Sequence, residues 1–126
     1  MAIVYLDTHV LVLLYQGDVA RLSAPARRAI DRSDPLVSPA AVLELQYLHE
    51  IGRLRTSASA LTQALVRDLG LRVCDLPFPA VVEQAWQESW SRDPFDRLIV
   101  AQAKARPASL ITKDQSIHDH YRRAIW

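Results

Sequence analysis

The sequence contains a single cysteine, Cys74, among its 126 residues. A lone cysteine excludes a disulfide framework and a zinc site built on cysteine ligands. The chain also lacks a long hydrophobic run, and its first residues are not a basic segment followed by a hydrophobic one. We therefore expect neither a transmembrane helix nor a signal peptide, which favours a cytoplasmic protein without a membrane partner.

Glycine is also scarce, and neither sign of charge dominates. Three glycines and a hydrophobic fraction of 50% are typical of a globular chain rather than a disordered one. The 15 basic and 14 acidic residues nearly balance, so the net charge of +1 gives no strong indication of a nucleic-acid or membrane surface. Without repeats or a long linker, the chain is expected to form one domain over residues 1–126.

Short apolar runs alternate with helical patterns along the whole chain. The predicted strands lie at 2–6, 35–38, 71–76, 108–112 and 124–126. The predicted helices lie at 9–15, 23–32, 39–51, 57–69, 80–90 and 94–106, with a short turn or helix at 116–121. This alternation predicts an α/β fold, a three-layer α/β/α sandwich around a mostly parallel sheet of four or five strands.

The helix that begins near residue 93 carries two acids at its start. Asp93 suits the capping position, and Pro94 suits the first helical position. Asp96 follows at the third helical position, where it shares a face with Ile99 and Val100 and points toward the core side. Capping alone accounts for Asp93, but it does not account for the inward position of Asp96.

Glu44 is predicted to lie in an apolar stripe of the helix over 39–51. The residues within about 60° of it at the helical period are Ala40, Ala41, Tyr47, Leu48 and Ile51. A buried ionised carboxylate costs several kcal/mol unless it is paired or binds a metal. Glu44 is therefore either part of a buried ion pair with an arginine or a metal ligand.

Four carboxylates are expected to approach one edge of the sheet. Asp7 follows the first strand and Asp114 the fourth, while Glu44 and Asp96 lie near the starts of helices that begin at that edge. Ligands bind beyond the carboxyl ends of parallel strands. Asp7 can also be interpreted as a helix cap only. Several carboxylates cannot share a site without a cation, and an all-oxygen set favours one or two Mg²⁺ or Mn²⁺ ions.

The segments around these acids resemble the PIN-domain family, and specifically the VapC-type toxins of toxin–antitoxin pairs. The resemblance covers nearly the whole chain and rests on LDTHVLVLL, SPAAVLELQYL, RDPFDRLIVAQA, LITKD and the final IW. It implies a PIN-like fold whose metal-holding acids are Asp7, Glu44, Asp96 and Asp114. It also implies secondary roles for Asp93, as an additional acid, and for Thr112, as the hydroxyl near the last acid.

The resemblance further implies an activity and partners. The expected protein is a Mg²⁺- or Mn²⁺-dependent endoribonuclease toxin that hydrolyses phosphodiester bonds of a structured cellular RNA, such as a tRNA or rRNA, with metal-activated water. A homodimer and a cognate antitoxin that occupies the acidic groove are also expected. Thr8, Arg97 and Lys113 are candidate substrate contacts next to the acids, although Arg97 equally suits an ion pair on the helix surface.

Two other functions remain open from the sequence. The chain could be a non-catalytic PIN-like binding module that acts through its partner, although all four acids are present. A phosphatase or a receiver-like phosphoacceptor also places an aspartate after its first strand. Phosphatases of that type need a second aspartate two positions later, where this chain has His9, and a receiver leaves Glu44 unexplained.

Overall fold

The computed structural model describes residues 2–126. In this part of the chain, a central sheet of five parallel strands has the order β3-β2-β1-β4-β5. The strands are β1 (Ile3–Leu6), β2 (Asp34–Val37), β3 (Arg72–Val73), β4 (Ser109–Ile111) and β5 (Ala124–Ile125). The predicted parallel α/β/α architecture is confirmed, and the final strand at the sheet edge is present.

Seven α-helices and a short 3₁₀ helix connect the strands within residues 2–126. They are α1 (Thr8–Tyr15), the 3₁₀ helix (Val19–Arg21), α2 (Ala24–Asp31), α3 (Pro39–Glu50), α4 (Ala58–Leu69), α5 (Phe78–Ala85), α6 (Pro94–Ala105) and α7 (Gln115–His120). Ser23, Ser38 and Ser57 cap α2, α3 and α4 with their hydroxyl groups. Among these helices, none has the length and apolar character that a membrane span requires.

The strand order determines where the ligand-binding crevice lies. Right-handed crossovers put the β1–β2 and β2–β3 connections on one face of the sheet and the β3–β4 and β4–β5 connections on the other, while α3 packs on both α4 and α6. The direction of winding therefore reverses between β1 and β4, which opens a crevice beyond the carboxyl ends of these two strands. Asp7 and Thr112 follow β1 and β4 directly, so both residues lie at this crevice.

Helix α5 ends five residues earlier than predicted, at Ala85 rather than at residue 90. Beyond it the chain turns to bury Glu88, which is 2% exposed. The Glu88 carboxylate accepts hydrogen bonds from Lys104 of α6 at 2.6 and 3.1 Å and from the Trp90 indole at 3.1 Å. This buried ion pair fixes the segment that leads into α6. Glu88 and Lys104 lie 16 residues apart, so no local sequence pattern predicts their contact.

The buried side of α3 differs from the prediction. Ala41 and Leu45 are fully buried, whereas Tyr47 and Ile51 are 49% and 48% exposed. Because α3 is apolar around most of its circumference, the helical period alone did not identify the sector that packs against α4 and α6. Only part of the predicted stripe around Glu44 is therefore buried, at Ala40 and Ala41, and Glu44 itself is partly exposed.

Candidate metal centre

A pocket of about 850 Å³ lies at the carboxyl ends of β1 and β4. Five carboxylates line it, from Asp7, Glu44, Asp93, Asp96 and Asp114. The structure thus brings together all four acids that were predicted as metal ligands, and it adds the secondary candidate. Asp7 and Asp114 follow two strands, Glu44 lies in the second turn of α3, and Asp93 and Asp96 lie at the start of α6.

Asp7 is the most deeply buried of these acids, with 5% of its surface exposed. Its Oδ1 accepts a hydrogen bond from the N–H of Thr8 at 2.8 Å, at the start of α1. Its Oδ2 accepts the hydroxyl of Thr112 at 2.7 Å and lies 3.5 Å from Nδ1 of His9. Asp7 therefore does more than cap α1, because its carboxylate also connects the ends of β1 and β4.

Thr112 links two of the acids. Its fully buried hydroxyl donates to Asp7 and accepts the backbone N–H of Asp114 at 3.0 Å. Asp114 in turn caps α7, since its Oδ1 accepts the N–H of Ile117 at 3.1 Å. Behind them, Nε2 of His118 lies 2.7 Å from the Thr112 carbonyl oxygen. These bonds fix the orientation of Asp7 and Asp114 relative to each other.

Glu44 reaches the pocket from α3 and accepts a hydrogen bond from the Thr8 hydroxyl. Burial raises the pKa of Glu44, and the charges of Asp7 and Asp93 raise it further, against the opposing effect of the Thr8 hydrogen bond. No arginine forms an ion pair with Glu44 within residues 2–126. The structure therefore does not support the ion-pair interpretation of Glu44.

The two acids at the start of α6 have different roles. The Asp93 carboxylate caps the helix, accepting the N–H groups of Phe95 at 2.8 Å and Asp96 at 3.4 Å. Burial, followed by the charges of the other four carboxylates of the pocket, raises the pKa of Asp96 to about 7. A carboxyl group surrounded by like charges in this way is one that a cation stabilises in its ionised form.

The chemistry of the pocket fits a hard divalent cation. All five candidate donors are carboxylates, which Mg²⁺ and Mn²⁺ prefer over the nitrogen and sulfur ligands of zinc sites. Among residues 2–126, however, no group of three or more His, Cys, Asp or Glu side chains forms a ready-made metal site. The hydroxyl groups of Thr112 and Thr8 each donate to one oxygen of Asp7 and Glu44, and a carboxylate that accepts such a bond keeps lone pairs for a cation.

Two of the three candidate substrate contacts lie at the pocket. Thr8 and Lys113 line the pocket, and the backbone N–H of Lys113 donates to Nε2 of His9 at 2.9 Å. Arg97 does not line it. Its guanidinium donates to the carbonyl oxygen of Ala85 at 2.9 and 3.3 Å, which connects α6 to the end of α5.

Sequence reasoning missed the basic side chains of the pocket. Arg21, in the 3₁₀ helix, and Arg53, in the loop after α3, both line it. Trp126 also lines the pocket and packs edge-on against His9, with the ring centroids 5.9 Å apart. No local signal distinguishes these arginines from the others in the chain, because only the fold brings them near the acids.

Comparison with known proteins gives a family match, a close relative and similar structures. The family model described as PIN domain matches residues 4–123. The chain is 34% identical to Ribonuclease VapC22 of Mycobacterium tuberculosis, over 95% of this chain and 93% of that protein. The fold is similar to a toxin–antitoxin complex from Klebsiella pneumoniae, with a TM-score of 0.62 and 15% identity over 100% of this chain and 97% of that chain. It is also similar to DNA-bound VapBC from Salmonella typhimurium, with a TM-score of 0.64 and 16% identity over 98% and 96% of the two chains.

Proposed function

The chain belongs to the PIN domain family, and from this premise we propose that it is a VapC-type endoribonuclease, the toxin of a toxin–antitoxin pair. The name of its relative from M. tuberculosis, a ribonuclease, supports this activity. The observation that carries the proposal is the convergence of five carboxylates on one pocket at the crevice between β1 and β4. Phosphodiester hydrolysis by a metal-dependent nuclease needs such a set of acids.

We assign the cation, one or two Mg²⁺ or Mn²⁺ ions, to Asp7, Glu44, Asp96 and Asp114. When bound, the cation supplies a Lewis acid for the phosphate and lowers the pKa of the attacking water. Thr112 holds the carboxylate of Asp7 in place. Asp93 keeps its capping role and adds negative charge next to the site.

The remaining pocket residues suit an RNA substrate. Within residues 2–126, the side chains lining the pocket include no serine or cysteine, and the Thr8 hydroxyl donates to Glu44, so we propose water as the nucleophile. Arg21, Arg53 and Lys113 supply positive charge on the pocket wall, where phosphates on either side of the cleaved bond would lie. We propose a structured cellular RNA, such as a tRNA or rRNA, as the substrate.

We also propose a cognate antitoxin, a homodimeric state and a cytoplasmic location. The similarity to a toxin–antitoxin complex of K. pneumoniae supports the first of these. The pocket combines its acids with apolar side chains such as Val12 and Leu48. A peptide segment with both basic and apolar side chains fits such a surface, so we expect the antitoxin to occupy the acidic groove and block RNA.

The test is RNA cleavage by purified Asp7→Asn and Asp96→Asn proteins, with 5′ ends mapped in total RNA after brief expression. Both substitutions are expected to abolish cleavage and to keep the fold, as measured by circular dichroism. Asp75→Asn is the matched control, because the Asp75 side chain is 98% exposed and lies outside the pocket. Cleavage at the wild-type rate by Asp96→Asn would show that the site assignment is wrong.

The alternative function is a non-catalytic PIN-like binding module that acts through its partner. The observation that favours it is the lack of a ready-made metal site among residues 2–126. Calorimetric titration with Mn²⁺ separates the two functions. Heat of binding at one or two sites per chain supports the nuclease, whereas no binding together with no cleavage supports the binding module.

A further inference from the structure

One buried polar pair connects α3 to α6 behind the carboxylates. Ser38 and Gln102 are 2% and 3% exposed. The Ser38 hydroxyl donates to Oε1 of Gln102 at 3.1 Å and accepts the N–H of Ala40 at 3.1 Å. The same hydroxyl therefore caps α3 and bonds to α6, and we refer to Ser38 and Gln102 as the inter-helix pair.

Only the oxygen of the Gln102 side-chain amide has a hydrogen-bond partner within residues 2–126. Its Nε2 is buried and has no hydrogen-bond partner in the part of the chain that the structure describes. A buried donor without a partner destabilises a fold, and a methionine of similar shape would avoid that cost. Stability alone therefore does not explain a glutamine at this position.

The inter-helix pair lies at one end of an antiparallel contact between α3 and α6. At the other end, the rings of Tyr47 on α3 and Phe95 on α6 lie 5.9 Å apart. From the inter-helix pair toward the two rings, residue numbers increase along α3 and decrease along α6. A hydrogen bond at one end and a ring contact at the other fix both the axial position and the rotation of the two helices.

Glu44 and Asp96 lie between these two contacts. Glu44 comes six residues after Ser38, and Asp96 comes six residues before Gln102. Six residues span about 9 Å of helix, so both carboxylates are displaced by a similar distance from the pair. Any shift of α3 along α6 at the pair changes the separation of Glu44 and Asp96.

We propose that Ser38 and Gln102 are positioning residues that set the separation of Glu44 and Asp96 for the divalent cation. This role rests on the proposed metal-dependent function. The pair touches neither the cation nor the substrate and acts through the two helices that carry the acids. Residues that orient metal ligands in this way commonly change metal affinity 10–100-fold when they are substituted, roughly the range expected here.

The test compares Gln102→Met, Ser38→Ala and the control Ser57→Ala. Ser57 caps α4 as Ser38 caps α3, but it accepts the N–H of Ala60 at 3.2 Å within its own helix. Two quantities are measured for each protein: the Mn²⁺ dissociation constant by calorimetry, and the urea midpoint of unfolding in EDTA. Neither measurement depends on RNA cleavage.

We expect the Mn²⁺ dissociation constant to rise about 10–100-fold in Gln102→Met and Ser38→Ala, and to stay at the wild-type value in Ser57→Ala. The urea midpoint of Gln102→Met is expected to stay close to that of the wild type, because the unpartnered amide is gone while the Ser38 hydroxyl loses its acceptor. Ser57→Ala is expected to lose stability through the lost cap, and Ser38→Ala at least as much, because it also leaves Oε1 of Gln102 without its donor. A Ser38→Ala/Gln102→Met double variant should bind Mn²⁺ no more weakly than either single variant, since the pair acts as one unit.

A purely structural pair gives the opposite pattern, with a lower urea midpoint and unchanged Mn²⁺ affinity in Gln102→Met. That result would overturn the positioning role and leave the metal centre in place. If the wild type itself bound no Mn²⁺, the metal centre would be overturned, and the positioning role with it. The two failures are therefore distinguished by the wild-type titration.

Discussion

Replacing Asp96 with asparagine is expected to stabilise the cation-free protein at and above pH 7. The pKa of Asp96 is raised from 3.8 to about 7 in the folded chain, first by burial and then by the neighbouring carboxylates. The folded state therefore binds a proton more tightly than the unfolded state does. As a result, the free energy of unfolding falls as the pH rises from about 4 to about 7, and the full destabilisation is present above pH 7.

The magnitude follows from the change in pKa and the exposure of the group. A rise from 3.8 to about 7 corresponds to about 4 kcal/mol, at about 1.4 kcal/mol for each pH unit. Asp96 is only partly buried, so solvent screens its charge and we expect about 1–2 kcal/mol. An asparagine side chain does not ionise and avoids this destabilisation.

The assay is urea unfolding in EDTA at pH 4 and pH 8 for wild type and Asp96→Asn. Relative to wild type, the free energy of unfolding of the variant should be about 1–2 kcal/mol higher at pH 8 than at pH 4. Adding Mn²⁺ at about 100 times its dissociation constant should stabilise the wild type by about 2.7 kcal/mol and the variant by much less, which reverses the order.

Asp75→Asn is the control for this comparison, and its stability should stay within about 0.5 kcal/mol of wild type at both pH values, because its side chain is fully accessible to solvent. A lower stability of Asp96→Asn than of wild type at pH 8 in EDTA would refute the reasoning. It would mean that the Asp96 carboxylate is stabilised by the protein itself, without a cation.

Three further substitutions test other contacts. Lys104→Met leaves the buried Glu88 carboxylate without its cation, so the free energy of unfolding in urea should fall by about 3–5 kcal/mol, and adding Glu88→Gln should recover part of the loss. Thr112→Val removes the hydroxyl that holds Asp7, so calorimetry should show Mn²⁺ affinity about 10–100-fold weaker; unchanged affinity would contradict this role. Arg97→Ala should cleave RNA at the wild-type rate in a gel assay, because its guanidinium lies outside the pocket.

The parts of the fold that depend on local patterns were predictable from the sequence. Buried parallel strands appear as short apolar runs, and serine or aspartate followed by proline marks a helix start. Asp7 and Asp114 were located because each follows a strand, and parallel strands end at one edge. Asp96 was located because it follows the cap of α6 on the inward side.

The parts that depend on contacts between distant residues were not predictable. Tyr47 and Ile51 were expected in the core, but α3 turns a different apolar sector inward because of its neighbours. Arg97, a candidate for a substrate contact or a surface ion pair, illustrates the same limit, since its hydrogen bonds to Ala85 depend on how α5 packs on α6. Arg21 lines the pocket because tertiary packing places its helix there, and its neighbours in sequence do not predict this position.

The hydrogen bond between Asp7 and Thr112 has a consequence for the order in which the chain folds. It joins residues 105 positions apart, and the central strand β1 pairs with β4 over a similar distance. During synthesis β1 leaves the ribosome before β4 and stays unpaired on that side until β4 has been made, and contacts over such distances form slowly. A growing chain therefore holds its acids apart, and the pocket is assembled among the last steps of folding.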